Sequence, residues 1–410
     1  MATFAYTVKN AAGAVQEGLM EGDDQTAVVR KLQEQGLSVI KIKTAKPPKP
    51  KFSGGGFGKV KLADLSIFCR QFSTMVDAGV SLVRCLNVLG QQASSPKLKR
   101  VIQEVESDVQ SGQTLTKALG KHPSVFNNLF VGLIHAGEIG GALDDSLQRL
   151  SGFLEKDMEM KRKVKGAMTY PTIVMTVAVI AVLGMVTFIL PKFMQLFLDM
   201  GMKETDMPGL TRALMAFSHF LTSKWYFAIT IGGAATVAFK MIVKTAPGAR
   251  VFDLFKLKAP VFGPLNHKVS ISRFARTLAT LLTSGVPILQ ALETVAGTVS
   301  NVIISDAILS ARDKIREGDE IGGPLERSKL FPPMVVQMIS IGEESGALDQ
   351  MLTKVAEFYE QEVNSTIEGL TSAIEPVMIV FLGGAVGFIV IAMFMPLTAI
   401  IGGLSSGSGD

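Results

Sequence analysis

The sequence predicts an all-α membrane protein with two homologous cytoplasmic helical-bundle modules, three transmembrane helices and a small N-terminal α+β unit. Three observations carry that prediction: an internal duplication, uncharged apolar stretches and an uneven distribution of basic residues. Phe68-Cys69-Arg70-Gln71 through Asp77-Ala78-Gly79-Val80 to Leu86 reads again as Phe274-Ala275-Arg276-Thr277 through Thr283-Ser284-Gly285-Val286 to Leu292. Gly137-Glu138 with Gly141-Ala142-Leu143-Asp144 returns as Gly342-Glu343 with Gly346-Ala347-Leu348-Asp349. Pro171 and Pro191 bracket an apolar stretch, and Pro376 and Pro396 bracket its copy. A duplicated unit of this length is a domain rather than a solenoid repeat of about 20–50 residues.

The chain has 410 residues, of which 48% are hydrophobic and 19% charged, and its mean hydropathy is positive. That is too apolar for an ordinary soluble protein. A bilayer core needs roughly 20 apolar residues in a helix, and three segments are predicted to meet that length: 168–190, 225–243 and 375–401. The second is the weakest, because Lys240 lies near its end, where the side chain can snorkel to the interface. Basic residues set the orientation. Lys156, Lys161, Arg162, Lys163 and Lys165 crowd the entry to the first span, and Lys240, Lys244, Arg250, Lys256 and Lys258 crowd the exit of the second. The tail after the third has no Lys or Arg. The expected arrangement is multi-pass, with the N-terminus cytoplasmic and the C-terminus external. Met1 to Gln35 lacks an apolar run, so no signal peptide is expected. The net charge of +5 sits beside the spans and reads as topology and headgroup contact, not nucleic-acid binding. Cys69 and Cys85, with no CxxC spacing, read as small core residues.

Along the chain, residues 1–45 form the α+β unit. Phe4 to Val8 alternates as a strand should, Val15 to Leu19 pairs back, a helix runs through Ala27, Val28, Leu32 and Gln35, and Leu37 to Ile42 resumes as a strand. Residues 46–61 are a linker, stiff at Pro47-Pro48-Lys49-Pro50 and loose at Gly54-Gly55-Gly56. Gly58-Lys59 is not a phosphate loop, since Ser53 and Val60 stand where that motif needs Gly and Ser or Thr. The first cytoplasmic module is 62–167, with Gly79 stopping its first helix and Ala142 opening a long one whose apolar face is Leu143, Leu147, Leu150, Phe153 and Leu154. Residues 191–224 are an external loop with a helix striped by Leu210, Leu214, Phe217 and Leu221, which can run on into the second span. A cytoplasmic connector, 244–273, leads to the second module, 274–374, and an external tail, 402–410, follows the third span.

No enzymatic activity is predicted, and no cofactor or metal. His122, His135, His219 and His267 are scattered without ligand spacing, and neither a GxSxG elbow nor a dinucleotide loop is present. A transporter or channel subunit is the rival class, but such proteins show broken helices or buried charges along a pathway, which the first and third spans lack. Glu375, directly before Pro376, reads as a first-turn carboxylate favoured by the helix dipole. Gly383 and Gly387 form GxxxG, and Gly232 with Thr236 is a small-xxx-small pair; both patterns serve helix packing, within the chain or between chains. The two Gly-Glu turns have two readings, a structural cap or a cytoplasmic docking or ion-binding surface, and Asp144 and Asp349 follow each in the first turn of a long helix.

Taken together, the paired Phe-x-Arg and Gly-Val elements, the Gly-Glu-x-x-Gly-x-Leu-Asp motifs and the lysine-rich helix into Tyr170-Pro171 resemble the type II secretion F domain. That domain occurs twice in the inner-membrane platform proteins of type IV pilus and type II secretion machines, the PilC/GspF family. The likeness covers nearly the whole chain, including Phe4, Tyr6 and Gly18, with departures at Ser81 against Pro287 and at Tyr170 against Glu375. It implies a non-enzymatic platform of a type IV pilus assembly machine, or alternatively a type II secretion platform moving pseudopilins. The implied partners are a cytoplasmic hexameric assembly ATPase, pilin or pseudopilin transmembrane helices, other inner-membrane machine components and further copies of the chain, with no nucleic acid. Arg70, Glu138, Asp144, Arg276, Glu343 and Asp349 are the residues expected to belong to, or shape, the docking surface, because they recur in both copies.

Overall fold

The computed structural model describes residues 2–9, 15–22, 29, 38–44, 59–200, 207–260 and 262–406. The chain divides into two compact units, Met1–Lys59 and Val60–Asp410. In the first, β1 (Ala2–Lys9), β2 (Val15–Gly22) and β3 (Ser38–Thr44) form an antiparallel sheet in the order β2-β1-β3. Tyr6 stands opposite Gly18 on one side and Ile42 on the other. The helix expected over Ala27 to Gln35 and most of the 46–61 linker lie outside the described residues.

In the second unit the duplication becomes two successions of helices with the same order. The first comprises α1 (Leu62–Asp77), α2 (Leu82–Gln92), α3 (Pro96–Gln110), α4 (Leu115–Gly120), α5 (Asn128–Gly140) and α6 (Leu143–Ala167). Side-chain caps begin three of them. Ser95 Oγ accepts from Leu98 N at 3.4 Å, Thr114 Oγ1 from Lys117 N at 3.3 Å and Asn127 Oδ1 from Phe130 N at 3.0 Å, satisfying amides that a helix start leaves unpaired. From α6 the chain passes through α7 (Thr169–Gly184), a π turn (Met185–Ile189) and α8 (Leu190–Asp199). Next come α9 (Gly209–Ser223), α10 (Trp225–Lys244) and α11 (Ala246–Lys258). The second succession is α12 (Gly263–Thr283), α13 (Ile288–Thr298), α14 (Val302–Arg316), α15 (Gly322–Arg327), α16 (Pro333–Ser345) and α17 (Leu348–Ser406).

Equivalent residues fill equivalent core positions. Phe68, Leu86, Ile102, Ile134 and Leu147 are buried in the first module, as are Phe274, Leu292, Ile308, Ile339 and Leu352 in the second. The two cores merge into one apolar cluster. Cys69 and Cys85 are buried in it, and burial pushes the Cys69 thiol well above its ordinary range.

Two helical stretches, Leu143–Asp199 and Leu348–Thr398, are long and apolar enough to cross a membrane. Their most apolar windows are only 17% and 22% buried, whereas a soluble core helix is covered by its own protein. The second predicted span corresponds to α10, whose Ile231, Val237, Phe239 and Met241 are exposed.

Several boundaries differ from expectation, each for a local reason. Pro191 does not end its helix. The preceding π turn absorbs the proline, which has no amide to give the ladder, and α8 continues to Asp199. Pro376 and Pro396 lie inside the single 59-residue helix α17. The connector 244–273 is itself helical, since α12 already begins at Gly263. The stripe helix is present as α9, but it does not run into α10, because Lys224 leaves helical geometry at φ −124°, ψ 28°.

The helix α9 packs on the ends of both membrane helices. Thr211 Oγ1 donates to Ala392 O at 2.7 Å, and Ser218 Oγ donates to Val186 O at 2.7 Å. Ala392 lies one α-turn before Pro396, and Val186 one π-turn before Pro191, so these carbonyls lack their usual amide donors. The two hydroxyls therefore satisfy the oxygens that the prolines orphan. Thr211→Val keeps the volume but leaves a buried carbonyl unpaired, and is expected to lower stability by about 1–2 kcal/mol in unfolding of the detergent-solubilised protein. An unchanged midpoint would rule that role out.

Candidate functional site

The recurring Gly-Glu turns close the C-terminal ends of α5 and α16. Gly141 and Gly346, at φ +68° and +70°, take the left-handed conformation that ends a helix at least cost to glycine. The chain then reverses into α6 or α17. Gly137 and Gly342 stand where the two helices meet most closely. A Cβ on Gly137 would lie 2.7 Å from Ser146 Cβ, and one on Gly342 would lie 2.8 Å from Leu348 Cα.

Each glutamate reaches back to a neighbouring short helix. Glu138 accepts from Leu115 N at 2.8 Å, from Thr116 N at 3.1 Å and from Thr116 Oγ1 at 2.6 Å. Glu343 accepts from Ile321 N at 2.8 Å. Both carboxylates thus occupy the positive N-terminal end of α4 or the approach to α15. Of the two readings of the turn, this geometry is that of the cap. Among the described residues, no group of three His, Cys, Asp or Glu is placed to hold a metal ion.

The recurring arginines do parallel work on the long helices. Arg70 of α1 pairs with Glu155 of α6 through two hydrogen bonds, and Arg276 of α12 pairs with Glu360 of α17 at 2.7 Å. The pairs differ in exposure. Arg70 is 67% exposed, whereas Arg276 and Glu360 are each 21% exposed. Exposed ion pairs contribute about 0.2–1 kcal/mol, and loss of one partner of a covered pair costs more. Arg276→Ala is therefore expected to lower stability measurably more than Arg70→Ala, in unfolding of the two variants side by side. Equal effects would contradict this ranking.

Sequence reasoning missed Glu155 and Glu360, although the repeat spacing relates them as it does the arginines. It also missed Arg273, whose guanidinium pairs with Asp157 at 2.7 Å and ties the second module to α6. Arg276 and Asp349 come together in a groove of about 560 Å³ between the modules, with Arg149, Lys156, Gln350 and Lys354. Its cations are individually paired: Arg149 with Asp145, Lys156 with Glu159, Arg276 with Glu360 and Lys354 with Glu357. The Lys163 hydrogen bond, then the Lys163 charge and that of Lys156, holds the Glu159 carboxyl below its ordinary range. Arg70, Glu138, Asp144 and Glu343 do not line this groove. Asp144 is exposed in the first turn of α6. A Cβ built on Gly232, Gly383 or Gly387 meets nothing within 4 Å among the described residues.

The duplicated arrangement matches known proteins over its length. The family description "Type II secretion system (T2SS), protein F" fits residues 68–191 and again 274–396. The corresponding N-terminal domain description fits residues 1–43. The chain is 41% identical to a type IV pilus assembly protein PilC of Myxococcus xanthus, covering 98% of this chain and 96% of that one. It is likewise 41% identical to PilC of Thermus thermophilus, covering 99% and 100%. Type II secretion system protein F of Vibrio cholerae is 32% identical, covering 97% and 98%. Two copies of one domain, near-complete coverage and membrane-length helices leave one assignment: the chain belongs to the type II secretion system protein F family, the membrane platform proteins of pilus and secretion machines.

Proposed function

We propose that this chain is the inner-membrane platform of a type IV pilus assembly machine, coupling a cytoplasmic hexameric ATPase to the polymerisation of pilins drawn from the bilayer. One observation carries the coupling: α17 is a single helix from Leu348 in the second module to Ser406 beyond the apolar segment. The helix stays continuous through Pro376 and Pro396, so displacement of the module can pass along it into the membrane. The stretch Leu143–Asp199 offers the first module the same route. Both modules and the N-terminus lie on the cytoplasmic side, with α10 as a third span and the tail outside, in keeping with the lysines that flank the apolar segments.

The Myxococcus and Thermus pilus proteins, each 41% identical, stand above secretion system protein F of Vibrio at 32%, which favours the pilus; a secretion platform moving pseudopilins is the second reading. The ATPase is proposed to contact the groove around Arg276 and Asp349 and the outer sides of the Gly-Glu turns. Arg70, Glu138, Asp144 and Glu343 contribute by holding those surfaces in shape. Gly232, Gly383 and Gly387, with open space around a built Cβ among the described residues, suit close packing against pilin helices or further copies. The test is photocrosslinking in cells from Ile139 and Glu344, the exposed neighbours of the two capping glutamates. Capture of a hexameric assembly ATPase is the expected result. Recovery of lipids or copies of the chain alone would remove these turns from the docking surface.

A further inference from the structure

The short helix α11 follows α10 after one residue, and its two faces have opposite characters. Thr245 Oγ1 caps its start by accepting from Gly248 N at 3.2 Å. The inner face is fastened to the protein. Asp253, buried, accepts from Val302 N at 2.9 Å and so caps α14, and its backbone oxygen accepts from Asn301 Nδ2 at 3.1 Å. Lys256 Nζ bonds Asp253 at 2.9 Å, and Phe252 meets Phe239 of α10 edge-on at 5.5 Å. The helix therefore has a fixed rotation about its axis.

That rotation turns Arg250, Val251, Leu254, Phe255 and Lys258 outward, along one stripe of helical spacing. Val251 is 70% and Phe255 67% exposed, and with Leu254 they place three large apolar side chains together on one short helix. Arg250 leans on Asp306 of α14 at 2.5 Å and is itself 66% exposed. The position of α11 identifies what covers the stripe. Its N-terminal end adjoins Lys244, where α10 ends. Beyond its C-terminal end, Phe262 joins Met168, Pro171, Ile374 and Met378 around an apolar cavity of about 540 Å³. Those residues lie where the two membrane-length helices become uncharged. Both ends of α11 thus stand at the level where the chain enters hydrocarbon.

We propose that α11 lies flat in the headgroup layer of an acidic-lipid leaflet. Val251, Leu254 and Phe255 enter the acyl boundary, while Arg250 and Lys258, with Lys244 beside them, meet lipid phosphates. Short amphipathic helices with cations flanking an apolar face bind membranes in this manner. Because Asp253 caps α14, the same helix ties the second module to the membrane surface and sets its height. This inference rests on the membrane placement given above, and the test separates the two.

The full-length protein is reconstituted in nanodiscs of phosphatidylcholine with phosphatidylglycerol, carrying an NBD label at Val251→Cys or Phe255→Cys, with brominated lipids as quencher. The buried Cys69 and Cys85 stay unlabelled in the folded protein. Ile180→Cys, on the exposed apolar surface of α7, and Lys99→Cys, on the polar first module, are the references. Positions 251 and 255 are expected to lose emission to the brominated lipid, as position 180 does, while position 99 keeps it; the loss shrinks in discs of phosphatidylcholine alone. Quenching at 180 with emission at 251 and 255 like that at 99 would overturn the inference and leave the membrane placement standing. No quenching at 180 would sink both. Equal quenching in neutral discs would overturn the acidic-headgroup contact.

Discussion

Gly342→Ala is expected to destabilise the protein by about 3 kcal/mol, at the upper end of overpacking effects, because the added methyl group meets backbone. Its Cβ would stand 2.8 Å from Leu348 Cα and 3.1 Å from Met351 Cβ. Real Cβ atoms do not approach that closely, so α16 must move from α17. The matching change in the first module differs in kind. Gly137→Ala collides with the side chain of Ser146, 2.5 Å from Oγ and 2.7 Å from Cβ. Ser146→Gly is therefore expected to restore part of the loss at 137, whereas Met351→Ala restores little at 342. Unfolding midpoints of the singles and doubles check both statements, and full recovery of Gly342→Ala by a side-chain change would show that the backbone approach is not what the glycine protects.

Glu138→Ala should cost nearly as much, about 2–3 kcal/mol, since one carboxylate serves two amides and a hydroxyl and charge-assisted bonds are worth more than neutral ones. Glu138→Gln keeps an acceptor and is expected to recover about half. Glu343→Ala, which releases the single amide of Ile321, is expected to be milder. The order Glu138→Ala, then Glu343→Ala, then Glu138→Gln is the readout. A charge-reversal defect in filament assembly at either position has to be compared with this stability loss before it is credited to docking. The exposed neighbours Ile139 and Glu344 carry no such burden.

Much of the module architecture was legible because local chemistry repeats. The Gly-Glu-x-x-Gly-x-Leu-Asp motif resolves into a close approach, a cap, a left-handed turn and a new helix, all within its own short length. The apolar stripe of Leu147, Leu150 and Leu154 follows the same logic of short-range spacing. The prolines were harder to read. Pro191 and Pro396 look like boundaries, since a proline removes a ladder bond, yet both are carried inside helices because Ser218 and Thr211 supply the missing donors from α9, a partner that sequence spacing does not reveal.

The same division holds for the candidate site. Arg70, Arg276, Glu138 and Glu343 stood out by recurrence, and recurrence is a property of the chain alone. What each one touches depends on contacts between residues far apart in sequence: Arg70 with Glu155, Arg276 with Glu360, Glu138 with the start of α4. Duplication, membrane-length apolarity and the basic flanks were written in order along the chain, because periodicity and solvent preference act residue by residue. Which carboxylate caps which helix, which hydroxyl completes a proline-broken ladder and which face of α11 is left for lipid were decided only when the helices packed, because each depends on a partner brought near by the rest of the fold.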